Sequence, residues 1–293
     1  FFHGGEPLLI GIQNFEKILS ITRQYSRQIH SVFLKSQVTL LKCSWLDLLF
    51  KEDKDLDIDV AISLDGTPEM NKLRITITGE ETQSKVLDSF ALLNSIGKKA
   101  GMLSVINKHA LPYADKYVEM LMGISNLLFV KINPLFDSVP GMLCPNSITP
   151  SEFTEFLKQV TIAYINHRCF LRFPIEPILS FIQQVKGIDS KYCNFNRRKC
   201  LNFTTLYPDG QMGICDSFSI KEFPLTIDSV GFDHSIDVLA NSPCVHPLLE
   251  MLEQCHKCGI WNQCHGGCLS QRFYLRKNIP VLYDEYCQHR KKM

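Results

Sequence analysis

No apolar run in this chain approaches the roughly 18–20 residues needed to cross a bilayer, although 45% of its 293 residues are hydrophobic. No membrane partner is therefore expected, and the apolar residues are left to build a substantial core. There is no block of basic residues and the formal net charge is +1, so nucleic acid is not the expected partner either. No signal peptide is expected. Low-complexity tracts and internal sequence repeats are also missing. Cysteine is scarce at first, with only Cys43 and Cys144 in the first half, and dense later. Clustered short spacings of this kind fit a cytoplasmic metalloprotein better than a disulfide-stapled secreted domain. The chain opens on Phe1, within what reads as the end of a strand, as a fragment or a product lacking its beginning would.

The densest stretch, Cys255 to Cys268, reads C-H-K-C-G-I-W-N-Q-C-H-G-G-C. Packing requires no such regularity. Soft ligands this close favour a thiophilic metal, either zinc or iron–sulfur. Gly266 and Gly267 let the backbone turn between the last two ligands. With Cys193, Cys200, Cys215 and Cys287, the thiols suffice for two four-thiolate sites. Cys244 is ambiguous. Cys43, Cys144 and Cys169, scattered among apolar residues, read as buried thiols.

Up to about residue 187, strand and helix patterns alternate. Phe1 to Pro7 (F-F-H-G-G-E-P) reads as a strand ending in a loop whose backbone approaches something closely. Strands are expected over 31–38, 58–64, 102–106 and 127–132. Helices are expected at 40–50, around Val86, Phe90 and Leu93, and over 117–122. Thr149-Pro150-Ser151-Glu152 is a capping box that opens a long helix. Ile178, Ile182 and Val185 form the expected core stripe of another helix, closed by Gly187. The alternation predicts a parallel α/β sheet or barrel, in which ligands sit at the carboxyl ends of the strands. Glu6, Ser63, Asn107 and Asn133 fall at such ends, while Asp65-Gly66 reads as turn chemistry. His3 either faces a substrate or packs. Beyond 187 the chain is loop-rich, with a hairpin around Pro208-Asp209-Gly210. Domains are expected at 1–187 and 188–293.

The opening F-H-G-G-E-P-L-L resembles the G-G-E-P motif of radical S-adenosylmethionine enzymes, and S-L-D-G at 63–66 is similar to their strand-four motif. The cysteine array, from Cys200 and Gly210 with Cys215 through Cys255, Cys258, Cys264 and Cys268 to Cys287, resembles the SPASM extension of that family. The likeness is to the anaerobic sulfatase-maturing enzymes. It implies a partial (β/α) barrel lacking its first unit, followed by a cysteine-rich SPASM domain with two auxiliary [4Fe–4S] clusters. Cys193, Cys200, Cys215 and Cys268 would hold one cluster, and Cys255, Cys258, Cys264 and Cys287 the other. Gly4, Gly5, Glu6, Ser63 and Asn107 would contact S-adenosylmethionine, with Glu6 accepting from its ammonium group. Asp216, after Cys215, would be the general base. His256 and His265 are expected to hydrogen-bond rather than ligate.

Two departures from the family pattern stand out. C-x3-C-x2-C, which binds a third [4Fe–4S] cluster, is not in this chain and is expected upstream of Phe1, so activity belongs to the full-length parent. S-Q-V-T-L-L at 36–41 stands where the pattern has T-N-G-T-L-L. The resemblance implies cleavage of S-adenosylmethionine to a radical that oxidises a cysteine or serine of a sulfatase to formylglycine, with a ferredoxin or flavodoxin as electron donor. Two other readings are a ribosomal-peptide maturase forming thioether or carbon–carbon crosslinks, and a non-catalytic iron–sulfur or zinc module that binds a peptide.

Overall fold

The computed structural model describes residues 1–29, 31–51, 56–196, 203–223, 225–226 and 245–292. Cys200 and Cys244 lie outside the described residues. In chain order come α1 (Ile12–Gln24), β1 (Ser31–Ser36), α2 (Cys43–Leu46), β2 (Asp57–Ser63), α3 (Gln83–Ser95), β3 (Ala100–Ile106), α4 (Ala114–Gly123) and β4 (Leu127–Pro134). Next are β5 (Ser138–Val139), β6 (Met142–Leu143), α5 (Pro150–Asn166), β7 (Ile175–Glu176) and α6 (Ile178–Val185). The chain continues with β8 (Thr205–Leu206), β9 (Gln211–Gly213), β10 (Leu225–Thr226), α7 (His246–His256), α8 (Trp261–Cys264), α9 (Leu269–Asn278) and α10 (Pro280–Arg290). Two compact units result. The first is Phe1–Leu135 with Glu155–Glu176, the second Phe136–Thr154 with Pro177–Met293.

The first unit is α/β, with a five-stranded sheet in the order β1-β2-β3-β4-β7. Every strand pair in it is parallel. Parallel neighbours need a crossover between them, and helices occupy these connections. β2 carries buried Ile58, Val60, Ala61 and Ile62 in near-continuous succession, as a strand covered on both faces requires. Phe15, Leu19, Val86, Phe90, Leu93, Tyr117 and Phe156 are buried on the helices. Phe2 extends the sheet by one parallel bridge to Leu34, with its N–H donating to the Phe33 carbonyl at 2.8 Å. The expected helix over 40–50 is split, because α2 runs into a wider π-type turn at Asp47–Lys51.

In the second unit the capping box forms both of its bonds. Thr149 N–H donates to Glu152 Oε2 at 2.7 Å, and Glu152 N–H donates to Thr149 Oγ1 at 3.2 Å. The hairpin of β8 and β9 turns through Gly210 at φ 84°. The aromatic-rich core gathers Ile214, Phe218, Phe223, Leu248, Met251 and Leu269, against which Trp261, Phe273 and Tyr283 pack.

Two expectations about burial are corrected. Cys43 is exposed, because α2 turns Trp45 and Leu46 inward instead. On α6 the apolar stripe faces out, with Ile182 46% and Val185 60% exposed, while Ser180 and Gln184 are buried. Hydrogen bonding decides this orientation. Ser180 and Ser190 hydroxyls meet at 2.6 Å, and the Gln184 amide, turned so that both ends are satisfied, donates to the Asn262 carbonyl at 3.0 Å and accepts from Ser190 N–H at 2.9 Å.

Candidate functional site

In a parallel sheet all strands deliver their carboxyl ends to one edge, so topology alone gathers Ser36, Ser63, Asn107 and Asn133 on the same side of the first unit. Phe2, parallel to β1, brings the following glycines to that edge. Gly4 and Gly5 have φ of 96° and 55°. Both are exposed, and a Cβ at either would meet no atom within 4 Å. Their peptide groups make no hydrogen bond among the described residues. This is open, donor- and acceptor-bearing backbone of the kind that suits a polar ligand.

Glu6 is held by bonds within the chain. Its Oε1 accepts from the Ser36 hydroxyl at 2.6 Å and from Leu8 N–H at 3.1 Å. Its Oε2 accepts from Gln37 N–H at 2.8 Å. The carboxylate caps the turn at Pro7–Ile10 and ties the glycine loop to the loop after β1. That second loop holds Val38 at φ 51°, a left-handed conformation that is an outlier for a β-branched residue. Val38 is nevertheless fully buried. Its N–H donates to the Ser36 hydroxyl at 2.8 Å, and its carbonyl accepts from Ser89 Oγ at 2.9 Å.

Asn107 is buried with both ends of its amide used. Nδ2 donates to the Met70 carbonyl at 3.1 Å, and Oδ1 accepts from His109 N–H at 2.9 Å. Ser63 is half-buried at the end of β2, and Asn133 half-buried near the end of β4. Asp65 is buried, and its Oδ1 accepts from Arg74 Nη2 and Val105 N–H, both at 2.8 Å. Burial pushes its carboxyl upward, with Arg74 pulling the other way. Gly66 is required beside it, since a Cβ would stand 2.5 Å from the Met70 sulfur. His3 is exposed.

In the second unit Cys255 ends on α7, Cys258 lies in the following turn, Cys264 closes α8, Cys268 precedes α9 and Cys287 sits on α10. All are half-buried free thiols. Burial pushes the Cys287 thiol up, and Cys255 and Cys264 act on it electrostatically. Two arginines accompany this set. Arg272 Nη1 donates to Cys255 Sγ at 3.1 Å, and Arg290 Nε donates to Cys264 Sγ at 3.2 Å. Neither was anticipated from the sequence, although Arg290 follows Cys287 by three residues on one helix, a spacing that puts both on one face.

Cys215 Sγ donates to Asp216 Oδ1 at 3.5 Å, with Asp216 exposed. Cys193 and Cys268 are half-buried, the latter with its sulfur 3.1 Å from Ser270 Oγ. His265 is buried and its Nδ1 lies 2.8 Å from the Phe195 carbonyl, while His256 stacks edge-on against Trp261. Among the described residues no three His, Cys, Asp or Glu side chains are gathered to hold a single metal ion. A cluster asks for a different arrangement, because each thiolate takes its own iron. The donor set is all sulfur, with Arg272 and Arg290 donating to two of its atoms, and sulfur is the donor a cluster takes.

No family model matches the chain. The cysteine-type anaerobic sulfatase-maturating enzyme of Clostridium novyi (strain NT) is 24% identical over 274 residues, covering 91% of this chain and 72% of that protein. The enzyme of the same name from Clostridium perfringens (strain 13 / Type A) is 24% identical over 299 residues, covering 99% and 79%. The structure of native anSMEcpe with bound AdoMet shares the fold at a TM-score of 0.80 and 23% identity, covering 98% of this chain and 78% of that one. The chain resembles the anaerobic sulfatase-maturating enzymes in sequence and in fold. Streptococcus suis SuiB bound to precursor peptide SuiA shares the fold more distantly, at a TM-score of 0.59 and 14% identity over 92% of this chain and 61% of that one. Among the described residues, no helix is long and apolar enough to cross a membrane.

Proposed function

We propose that this protein is a radical S-adenosylmethionine oxidoreductase acting on a peptide or protein, of the sulfatase-maturase type, which converts a cysteine or serine of a sulfatase to formylglycine. The observation carrying this reading is that the likeness to the cysteine-type enzymes runs through both units, over 99% of the chain. A solved relative holds both AdoMet and a Cp18Cys peptide, which supports the same ligand classes here. The functional domains would be 1–187 and 188–293. A cytoplasmic location, where thiols stay reduced, and a ferredoxin or flavodoxin donor complete the reading.

When bound, the cofactor and a reduced cluster supply the radical chemistry. The chain's own residues supply placement. The open peptide groups of Gly4 and Gly5 would take the polar methionine end of S-adenosylmethionine, with Ser63 and Asn107 nearby on the same strand-end edge. Glu6, whose oxygens already accept three hydrogen bonds, would hold that loop in shape as well as offering its remaining lone pair to the ammonium group. Cys193, Cys200, Cys215 and Cys268 would hold one auxiliary [4Fe–4S] cluster, and Cys255, Cys258, Cys264 and Cys287 the other. Asp216 would receive the substrate proton.

Anaerobic reconstitution tests the metal part: about eight irons per chain with no zinc supports two clusters, and zinc in their place defeats it. The activity is tested with the complete gene product and a sulfatase peptide bearing cysteine or serine. Mass spectrometry should show the aldehyde, and an unchanged peptide beside cleaved S-adenosylmethionine would sink the substrate assignment. A crosslinking peptide maturase is the second reading. It is favoured by the altered loop at 36–41, where Val38 occupies a left-handed conformation at the position the family pattern gives to glycine.

A further inference from the structure

Among the described residues Arg272 is the largest fully buried side chain, 1% exposed. Among the described residues no carboxylate pairs with it. Nη2 donates to the Met251 carbonyl at 2.8 Å and to the Tyr283 hydroxyl at 3.1 Å. Nη1 donates to the Gly266 carbonyl at 3.2 Å and to Cys255 Sγ at 3.1 Å. Nε has no partner. A buried cation without an anion is costly, and the one group in this list able to carry negative charge at neutral pH is the cysteine sulfur.

Arg290 repeats the arrangement from another helix. It stacks over the Phe195 and Tyr286 rings, 4.9 and 5.8 Å from their centroids, and turns Nε onto Cys264 Sγ. The Gly-Gly pair makes room for both arginines. A Cβ on Gly266 would stand 3.1 Å from Arg272 Nη1, and one on Gly267 would stand 2.9 Å from Arg290 Nε and 2.3 Å from the Tyr286 hydroxyl. The glycines therefore do more than turn the chain between two cysteines: they admit two guanidinium groups to the sulfurs of one proposed ligand set.

We propose that Arg272 and Arg290 are positioning residues that set the reduction potential of the cluster held by Cys255, Cys258, Cys264 and Cys287. The inference rests on the cluster reading above. One-electron reduction, by the donor named there, adds one negative charge to a thiolate-ligated cluster. A fixed positive charge hydrogen-bonded to a ligand sulfur stabilises the reduced form more than the oxidised one and raises the potential. A guanidinium stays protonated throughout, so no proton accompanies the electron.

The test uses the whole chain reconstituted anaerobically with iron and sulfide, with iron counted and the potential followed by EPR-monitored titration. Cys258→Ala identifies which signal belongs to this site. If the unsubstituted chain takes up no iron, the cluster reading fails and this inference falls with it. If iron is taken up, Arg272→Gln should keep its iron and shift the reduction equilibrium at least tenfold toward the oxidised form, about 59 mV for a one-electron couple. An unshifted signal at full iron content overturns the proposal. If Arg272→Gln loses about four irons, Arg272→Lys decides. Lysine that restores the iron and brings the potential to within about threefold of the unsubstituted equilibrium supports a role for charge. Lysine that loses the iron too, or keeps it with the potential lowered tenfold, overturns that role. Arg290→Gln is expected to shift the same signal in the same direction, and a shift in the other direction counts against the pair.

Discussion

The two units bury polar groups by different means. In the sheet unit the fully buried Asp65, Asn107 and Ser104 are answered by protein, although Nε of half-buried Arg74 has no partner among the described residues. Asp65 meets Arg74 and a backbone N–H, Asn107 meets two backbone groups, and the Ser104 hydroxyl lies between the Leu64 carbonyl and the Tyr117 hydroxyl at 2.7 and 2.8 Å. In the cysteine-rich unit the buried Arg272 leaves one nitrogen unanswered and turns another onto a sulfur. The first unit sets a carboxylate against its partly buried cation, Asp65 against Arg74. The second is arranged as though its charge balance were completed by what the thiols hold.

The largest test of that contrast is removal of metal. Structural metal binding is folding free energy, so stripping iron from the reconstituted chain should destabilise the second unit by several kcal/mol, on the order expected for structural sites. Hydrogen exchange should accelerate over 245–292 and stay slow in β2 and β3. Equal loss in both regions would erase the distinction.

The next test compares two aspartates. Asp65→Ala leaves Arg74 and Val105 N–H without their acceptor and should cost about 3–5 kcal/mol in urea unfolding. Asp216→Ala, at an exposed site, should change stability by no more than about 0.5 kcal/mol yet abolish product formation by the complete enzyme.

A smaller effect is set by pH. Burial first of all, and then neighbouring Cys169, push the Tyr164 hydroxyl up to about 12, while it donates to the Phe173 carbonyl at 2.5 Å. The unfolded chain ionises this tyrosine near 10, so the contribution is complete below that pH. It is lost as pH climbs through about 12, at no more than about 1.4 kcal/mol per pH unit. Tyr164→Phe should flatten alkaline unfolding curves of the first unit. The smallest effect belongs to Val38→Gly. Relief of about 1–2 kcal/mol of left-handed strain offsets about 1.5–3 kcal/mol of lost burial, so unfolding midpoints should move little.

Much of the first unit was legible in the sequence because its strands and helices carry their own periodicity. β2 announced itself as a β-branched run. In the second unit Thr149 with Glu152 likewise announced a helix start that forms both expected bonds. Pattern misled where partners lay far along the chain. The Ile178, Ile182 and Val185 stripe reads as a core face, but Ser190 and the Asn262 carbonyl claim the opposite face of α6. The Glu6 motif gives no sign of the partners its oxygens find in Ser36 and Gln37, some thirty residues away.

The sequence by itself determined the order of strands and helices, the spacing of the cysteines and the glycines where backbone lies bare, since each depends on neighbours within a few positions. Only the tertiary structure decided which polar groups are already satisfied and which arginines meet which sulfurs. Those outcomes depend on residues 17 to 31 positions apart meeting in space, and no local pattern encodes a partner at that distance.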